Sequence, residues 1–246
     1  MNITLSIETY KGVDGSSLSS TRCNQLVQVF EMLGQLGDKA LTYLDIQEEA
    51  QNRKLFGETN AKSAIRTFFP LLKKIGFVNY EDTFCANKCF TDLGIQFVLA
   101  CRALNNVSDD TPHKEEVIAR LESIKQSAQK QGLVSMYLNK EYKDHNMWVA
   151  LKLLKTFKVM NWNVFLYALY CLENGLSFNE AIEEIKKNKS KIDSMQFVNE
   201  EGERLPNTCY SYIRSFLEEA GIIKKYNSKE SELIDSSDKL FTIIKI

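Results

Sequence analysis

The sequence predicts a mainly α-helical fold with short β-hairpins, and three observations carry that prediction. Punctuation is scarce: 11 glycines and three prolines in 246 residues, about 6% where roughly 12% is usual, too few for the turns of an all-β chain. Apolar residues recur at steps of three and four through most of the chain, the period of a helix with one buried face. The few segments with strand character come in pairs around short polar turns.

Residues 1–20 read as a short strand or arm followed by the loop Gly12–Ser17, whose small polar residues favour turns. A helix begins at Asn24, with Leu26, Val29, Phe30, Leu33 and Leu36 on one face and Gly34 and Gly37 at its end. Thr42 to Asp45 is a capping signal that opens a second helix, running to about Arg53. Asn60 caps a third, whose apolar positions Ala64, Phe68, Leu71, Leu72 and Ile75 share a face. Pro70 is expected to kink or restart it. Gly76 stops it, Phe77–Tyr80 reads as a strand, Glu81-Asp82-Thr83 as a turn and Lys88–Thr91 as the returning arm. A helix from Asp92 to Asn105 closes the unit. Three helices feeding a two-stranded hairpin are the order of a winged helix-turn-helix, which offers its third helix to the major groove of DNA.

The polar stretch Asn105–Pro112 reads as a linker, and Lys114–Lys130 as a charged amphipathic helix suited to a connector. Met147–Met160 is another helix, and Phe165–Leu172 begins one that is apolar all round. The pattern then returns. Ser177 to Glu180 is a capping box like Thr42 to Asp45, and Leu72–Val78 matches Leu217–Ile223 without a gap at an offset of 145 residues. Tyr212–Phe216 is thus the second recognition helix, entered from the Leu205–Thr208 turn, with Ile222–Tyr226 and Leu240–Ile244 as the arms of its wing. The expected architecture is tandem winged helix-turn-helix domains joined by a helical linker. Residues 1–105 form the first domain with an N-terminal arm, 106–160 the connector and 161–246 the second domain.

Net charge is −1, which excludes an indiscriminate polyanion binder and leaves room for a local basic face. One exists: Lys62, Arg66, Lys73 and Lys74 occur with no acidic residue between Asn60 and Tyr80, a local charge of +4. Lysines there suit phosphates, Arg66 suits a guanine edge, and Ser63 and Thr67 suit either. In the second copy Arg214 is countered by Glu218 and Glu219. DNA contacts are expected there from Asn207, Tyr210, Arg214, Arg204 in the approaching loop, and Lys224 and Lys225 at the start of the wing. The lysines at 186, 187, 189 and 191 are either flanking phosphate contacts or a solvated run.

Six scattered cysteines in a chain of this size read as reduced thiols. Cys85-x3-Cys89 with Cys101 lacks a fourth ligand and fits no zinc pattern. Glu141-Tyr142-Lys143 and Glu184-Ile185-Lys186 have the tripeptide form of a Mg²⁺ nuclease site but follow no apolar strand, so they read as chance matches. No phosphate-binding loop, dinucleotide fingerprint or nucleophile elbow is present. Binding is favoured over catalysis, and no cofactor or small-molecule substrate is expected. The longest apolar run, Val164–Leu172, has nine residues, about half of the ~18 a membrane span needs. The N-terminus has no basic segment leading into an apolar stretch, so the expected location is the cytoplasm.

Several segments resemble the DNA-recognition region of type IIS restriction endonucleases of the FokI and AlwI kind. They are Gly15–Arg22 leading into a helix, Phe90–Gly94 after the first wing, the Met147–Ser190 block and Tyr212–Ile222. The resemblance spans most of the chain with loose motifs. It implies winged-helix modules that read a short asymmetric duplex site while a separate Mg²⁺-dependent domain cuts outside it. No cleavage domain is expected after Ile246, so the resemblance implies a recognition module or subunit that works with a nuclease domain or subunit. An adaptor of tandem winged helices that assembles proteins, or a plasmid or phage replication initiator, would share the element order.

Overall fold

The structure is a computed structural model that describes residues 2–6, 18–57, 60–139, 145–227, 230–234 and 237–245. The Gly12–Ser17 loop and the Glu141–Lys143 tripeptide lie outside the described residues. The protein is mainly helical with small sheets. It divides into a first unit, Asp14–Lys143, and a second, Met1–Val13 with Asp144–Ile246. No helix among the described residues is long and apolar enough to cross a membrane.

In the first unit, helix α1 (Ser20–Leu36) is capped by the Ser19 hydroxyl and leads through strand β2 (Ala40–Leu41) to α2 (Tyr43–Asn52). Thr42 and Asp45 close the expected capping box: Asp45 N–H donates to the Thr42 hydroxyl, and the Asp45 carboxylate accepts from the Thr42 N–H. The third helix, α3 (Ala61–Lys74), starts where the Asn60 side chain accepts from Ser63 N–H. It runs as one element past Pro70, so of the expected kink or restart the restart does not occur. Proline removes one donor, that to the Arg66 carbonyl, and Arg66 lies on the exposed side of the helix, where a missing intrahelical bond costs least. Gly76, at φ 73°, then turns the chain out of the helix.

The hairpin that follows is shorter in hydrogen bonding than its sequence suggests. Val78 and Phe90 bridge, and Asn79 and Thr91 donate to the Cys89 and Phe77 carbonyls. Its inner part, β3 (Phe84–Cys85), pairs antiparallel with β2, Leu41 opposite Phe84. Helix α4 (Asp92–Asn105) begins at the Thr91 cap and presses so close to the hairpin that a Cβ on Gly94 would lie 1.9 Å from the Phe77 carbonyl oxygen. The 106–113 stretch is irregular as expected, yet it separates no domains. Helix α5 (Lys114–Leu138) packs back along α4, with Gly132 against Ile75 and Phe77, and so completes the first unit's core.

In the second unit, α6 (His145–Phe157) ends earlier than its apolar pattern predicts. Lys158 takes a left-handed conformation, φ 61°, and the chain turns into β4 (Val159–Asn161), where Met160 is buried. Asn161 caps α7 (Trp162–Glu173), and Ser177 with Glu180 forms the capping box of α8 (Phe178–Ile192). Strand β1 (Asn2–Thr4) pairs in parallel with β5 (Gln196–Val198), which places the N-terminal segment in this unit rather than in the first.

Helix α9 (Thr208–Glu219) leads to β6 (Ile223–Lys225) and β7 (Glu230–Leu233), in a sheet of order β4-β7-β6. The returning arm is therefore β7, and residues from 238 form α10 (Asp238–Ile243) instead of a strand. Burial explains the exchange: Ser231 and Leu233 are buried at the period of a strand, whereas Leu240, Phe241 and Ile244 are buried at helical spacing.

Both units thus contain helix, strand, helix, then a later helix feeding a hairpin. The ungapped match at an offset of 145 falls at the same structural point in each: α3 and α9 end at Lys74 and Glu219, followed by Gly76 and Gly221 at positive φ. The capping-box match does not. The place of Thr42 in this order is taken by Asn161, while α8 and β5 are additional elements between α7 and α9.

Candidate nucleic-acid interface

Helix α3 has two chemically distinct faces because its sequence alternates them at helical spacing. Ala61, Ala64, Ile65, Phe68, Phe69, Leu71 and Leu72 are buried. Lys62, Ser63, Arg66, Thr67, Lys73 and Lys74 are on the other side, exposed or half-exposed. All six residues expected from the sequence are therefore brought onto one face.

Their surroundings differ. Lys62 Nζ lies 3.9 Å from Glu48 with both groups well exposed, a pair worth little in water. Arg66 is exposed and makes no ion pair among the described residues; its charge acts on the Tyr43 phenol, opposing the upward shift that burial gives that group. The Thr67 hydroxyl donates to the Ser63 carbonyl at 2.9 Å, which fixes its rotamer along the helix. Lys73 Nζ sits 4.6 Å from the centre of the Tyr80 ring. Tyr80 stacks on Tyr43 at 5.0 Å with the rings 10° from parallel, and Phe69 closes the cluster from below. This aromatic pile joins the start of α2 to the hairpin and braces α3 between them. Leu44, 61% exposed, stands beside it at the rim of a shallow recess that Glu81 and Asp82 also line.

The second unit does not repeat this face. At the offset of 145, the positions of Lys62, Arg66, Lys73 and Lys74 are held by Asn207, Ser211, Glu218 and Glu219. Tyr210 and Arg214, expected at a DNA surface, are in the interior. The Tyr210 hydroxyl donates to the Met160 carbonyl at 3.1 Å, and burial drives its phenol pKa well up. Arg214 is 6% exposed. Its Nε donates to the Ser231 hydroxyl at 2.7 Å and its Nη2 to the Asn227 and Glu230 carbonyls, so it ties α9 to the start of β7. Lys224 pairs with Glu232 at 3.1 Å, and Lys225 pairs with Glu218. Arg204 and Asn207 are exposed; Arg204 makes no ion pair among the described residues, and Asn207 stands at the α9 N-cap without a side-chain capping bond. In the lysine run, Lys186 and Lys187 pair with Glu183 and Glu184 one turn earlier, on a regular helix that also carries Glu184-Ile185-Lys186.

The sequence did not point to Trp162. Its ring lines two adjoining recesses of about 480 and 360 Å³, both also bordered by Arg204. The available signal was an aromatic residue directly after an asparagine cap, at the same step of the element order as Tyr43 after Thr42.

Cys89 is buried, which pushes its thiol up to about 12, and Cys101 is buried as well. Among the described residues no group of three His, Cys, Asp or Glu side chains is placed to hold a metal ion. Comparison with family models, curated proteins and solved structures finds no match to this chain.

Proposed function

We propose that this protein binds double-stranded DNA in a sequence-dependent way through the exposed face of α3, as a winged helix-turn-helix unit. One observation carries the reading: α3 concentrates four cations and two hydroxyls on a single solvent-facing side of a helix that contains no carboxylate. Order and pairing support it. The strands β2 and β3 pair with each other after the order a wing requires, and α2 packs on α3. Lysines at 62, 73 and 74 neutralise phosphates, and Arg66 at mid-helix faces base edges.

The second unit has the same element order with the extra α8 and β5, and in this reading it is a winged helix of different purpose. Its equivalent face is neutral at the start and acidic at the end, which repels a phosphate backbone and suits a protein partner. A recognition module of a restriction-type system, with cleavage supplied by a nuclease domain or subunit, accounts for both halves.

Selection from random duplexes tests the proposal. One short motif should emerge, and its affinity should fall with salt at a log–log slope of about −3, as expected for three phosphate contacts. Sequence-independent binding, or none at low salt, overturns it. A stoichiometric protein partner with no DNA binding would instead establish an assembly adaptor.

A further inference from the structure

The sheet of the second unit ends at β4, and its ladder shows which backbone groups lie on the outer side. Leu233 N–H donates to the Lys158 carbonyl, so Lys158 and, two residues on, Met160 turn their backbone groups towards β7. The Val159 N–H and C=O and the Asn161 N–H therefore point away from β7, and no strand among the described residues pairs with that side. Such an edge is a template for another chain, and proteins commonly blunt it with charge. The opposite edge follows that rule, since β6 presents Lys224 and Lys225, both exposed. At β4 the exposed side chain is instead the apolar Val159, 42% exposed.

A groove of about 570 Å³ borders the same two residues, Val159 and Asn161. Phe157, Val164 and Ile185 continue its apolar lining, and the exposed Lys186 and Lys189 of α8 border it as well. Lys186 pairs with Glu183, whereas Lys189 makes no ion pair among the described residues. Glu230 is the one carboxylate among the described residues that line the groove, and it accepts from the Asn227 side-chain amide at 2.8 Å. Outward backbone groups on a strand, with apolar surface and cations beside it, match an extended chain: its main chain pairs with the edge and its side chains enter the groove. We propose that β4 and this groove take up an extended segment of a protein partner, which adds a strand to the sheet and brings apolar and acidic side chains to the groove. The site belongs to the second unit alone and stands whether or not α3 reads duplex DNA.

Random decapeptides displayed on phage and selected on the full chain supply the probe. The enriched sequences should combine apolar with acidic residues, and a synthetic, fluorescently labelled copy should bind the full chain in an anisotropy titration. Methylating its backbone nitrogens one at a time leaves the protein untouched and reads strand addition directly. The copy whose N–H meets the Val159 carbonyl should bind about tenfold more weakly, the loss of one hydrogen bond, while methylation of the residues on either side, whose N–H faces outward, should be tolerated. Lys189→Glu, a change at an exposed residue, should weaken binding about threefold, and Arg66→Ala should leave it unchanged, which separates this site from the α3 face. The proposal fails if no peptide is enriched, if the enriched peptides lack acidic residues, or if every methylated copy binds as the parent peptide does. It fails equally if Lys189→Glu has no effect, or if hexathymidylate displaces the peptide, since the groove would then hold nucleic acid.

Discussion

Arg66 and Lys73 share a helix face but differ in what they can recognise. Arg66 stands exposed at mid-helix, and in the proposed duplex complex its planar fork reads two acceptors on one guanine. Lys73 is held over the Tyr80 ring near the helix end and offers a point charge. Arg66→Ala should therefore relax the preference at one base position and cost about 1–3 kcal/mol on the selected site. Lys73→Ala should weaken all duplexes alike and reduce the salt slope by about 1. Titration of the selected duplex and of one with a changed base, at several salt concentrations, separates the two outcomes.

A second residue-scale prediction concerns Asp45, whose carboxylate accepts from the Thr42 N–H at 2.7 Å and from its hydroxyl at 2.8 Å. Those bonds hold its pKa below the ordinary value of 3.8. The folded-state value is the lower one, so the stabilisation is complete above the unfolded value and is lost as pH falls through the folded one. Asp45→Asn should lower Tm at neutral pH, and the gap between the two proteins should close as the pH is taken below 3.8. A gap of constant size across that range would show that the carboxylate charge plays no part.

Among the elements, α4 and its preceding hairpin meet at close range, with the Phe77 and Phe97 rings 4.8 Å apart and backbone against backbone at the first turn. The Thr91 hydroxyl donates to the Gly76 carbonyl at 2.6 Å, and Gly94 brings the first turn of α4 against the Phe77 carbonyl. A methyl group at Gly94 would meet backbone that cannot turn aside, so Gly94→Ala should destabilise the first unit by about 3 kcal/mol despite the better helix propensity of alanine. Thermal melting followed by circular dichroism reads this directly, and a neutral or raised Tm would contradict the packing described.

Helices α3 and α9 show what local sequence reveals about an element. The end of each was legible, because a glycine at positive φ after an apolar helix end is a local signal. Which side chains each exposes was legible only for α3. Its cations fall on the solvent side by spacing alone, whereas Arg214 and Tyr210 look equally exposed in a list of polar residues. They are buried because β7 supplies a hydroxyl and a carbonyl, with a second carbonyl from Asn227, for one and β4 a carbonyl for the other.

At the scale of the molecule, the division falls near residue 144, not at the polar stretch after Asn105. That stretch has linker composition, yet α5 returns along α4 and seals the first core with Ala128, Leu133 and Met136. A fragment spanning Asp14–Lys143 should thus melt cooperatively and retain duplex affinity within about a factor of three of the full chain. A fragment ending at residue 105 should fail to melt cooperatively, because the apolar side of α4 would lose its cover.

The sequence by itself determined the helical class, the caps at Asn60, Thr42 and Ser177, and the cationic side of α3. Each of these is written within one or two helical turns, where periodicity and a capping side chain act without help from elsewhere. The tertiary structure decided the parallel pairing of β1 with β5 across some 190 residues, the choice of β7 over α10 as the returning strand, and the burial of Arg214. Those features depend on partners distant in the chain, and a strand three residues long carries too little pattern to name its partner.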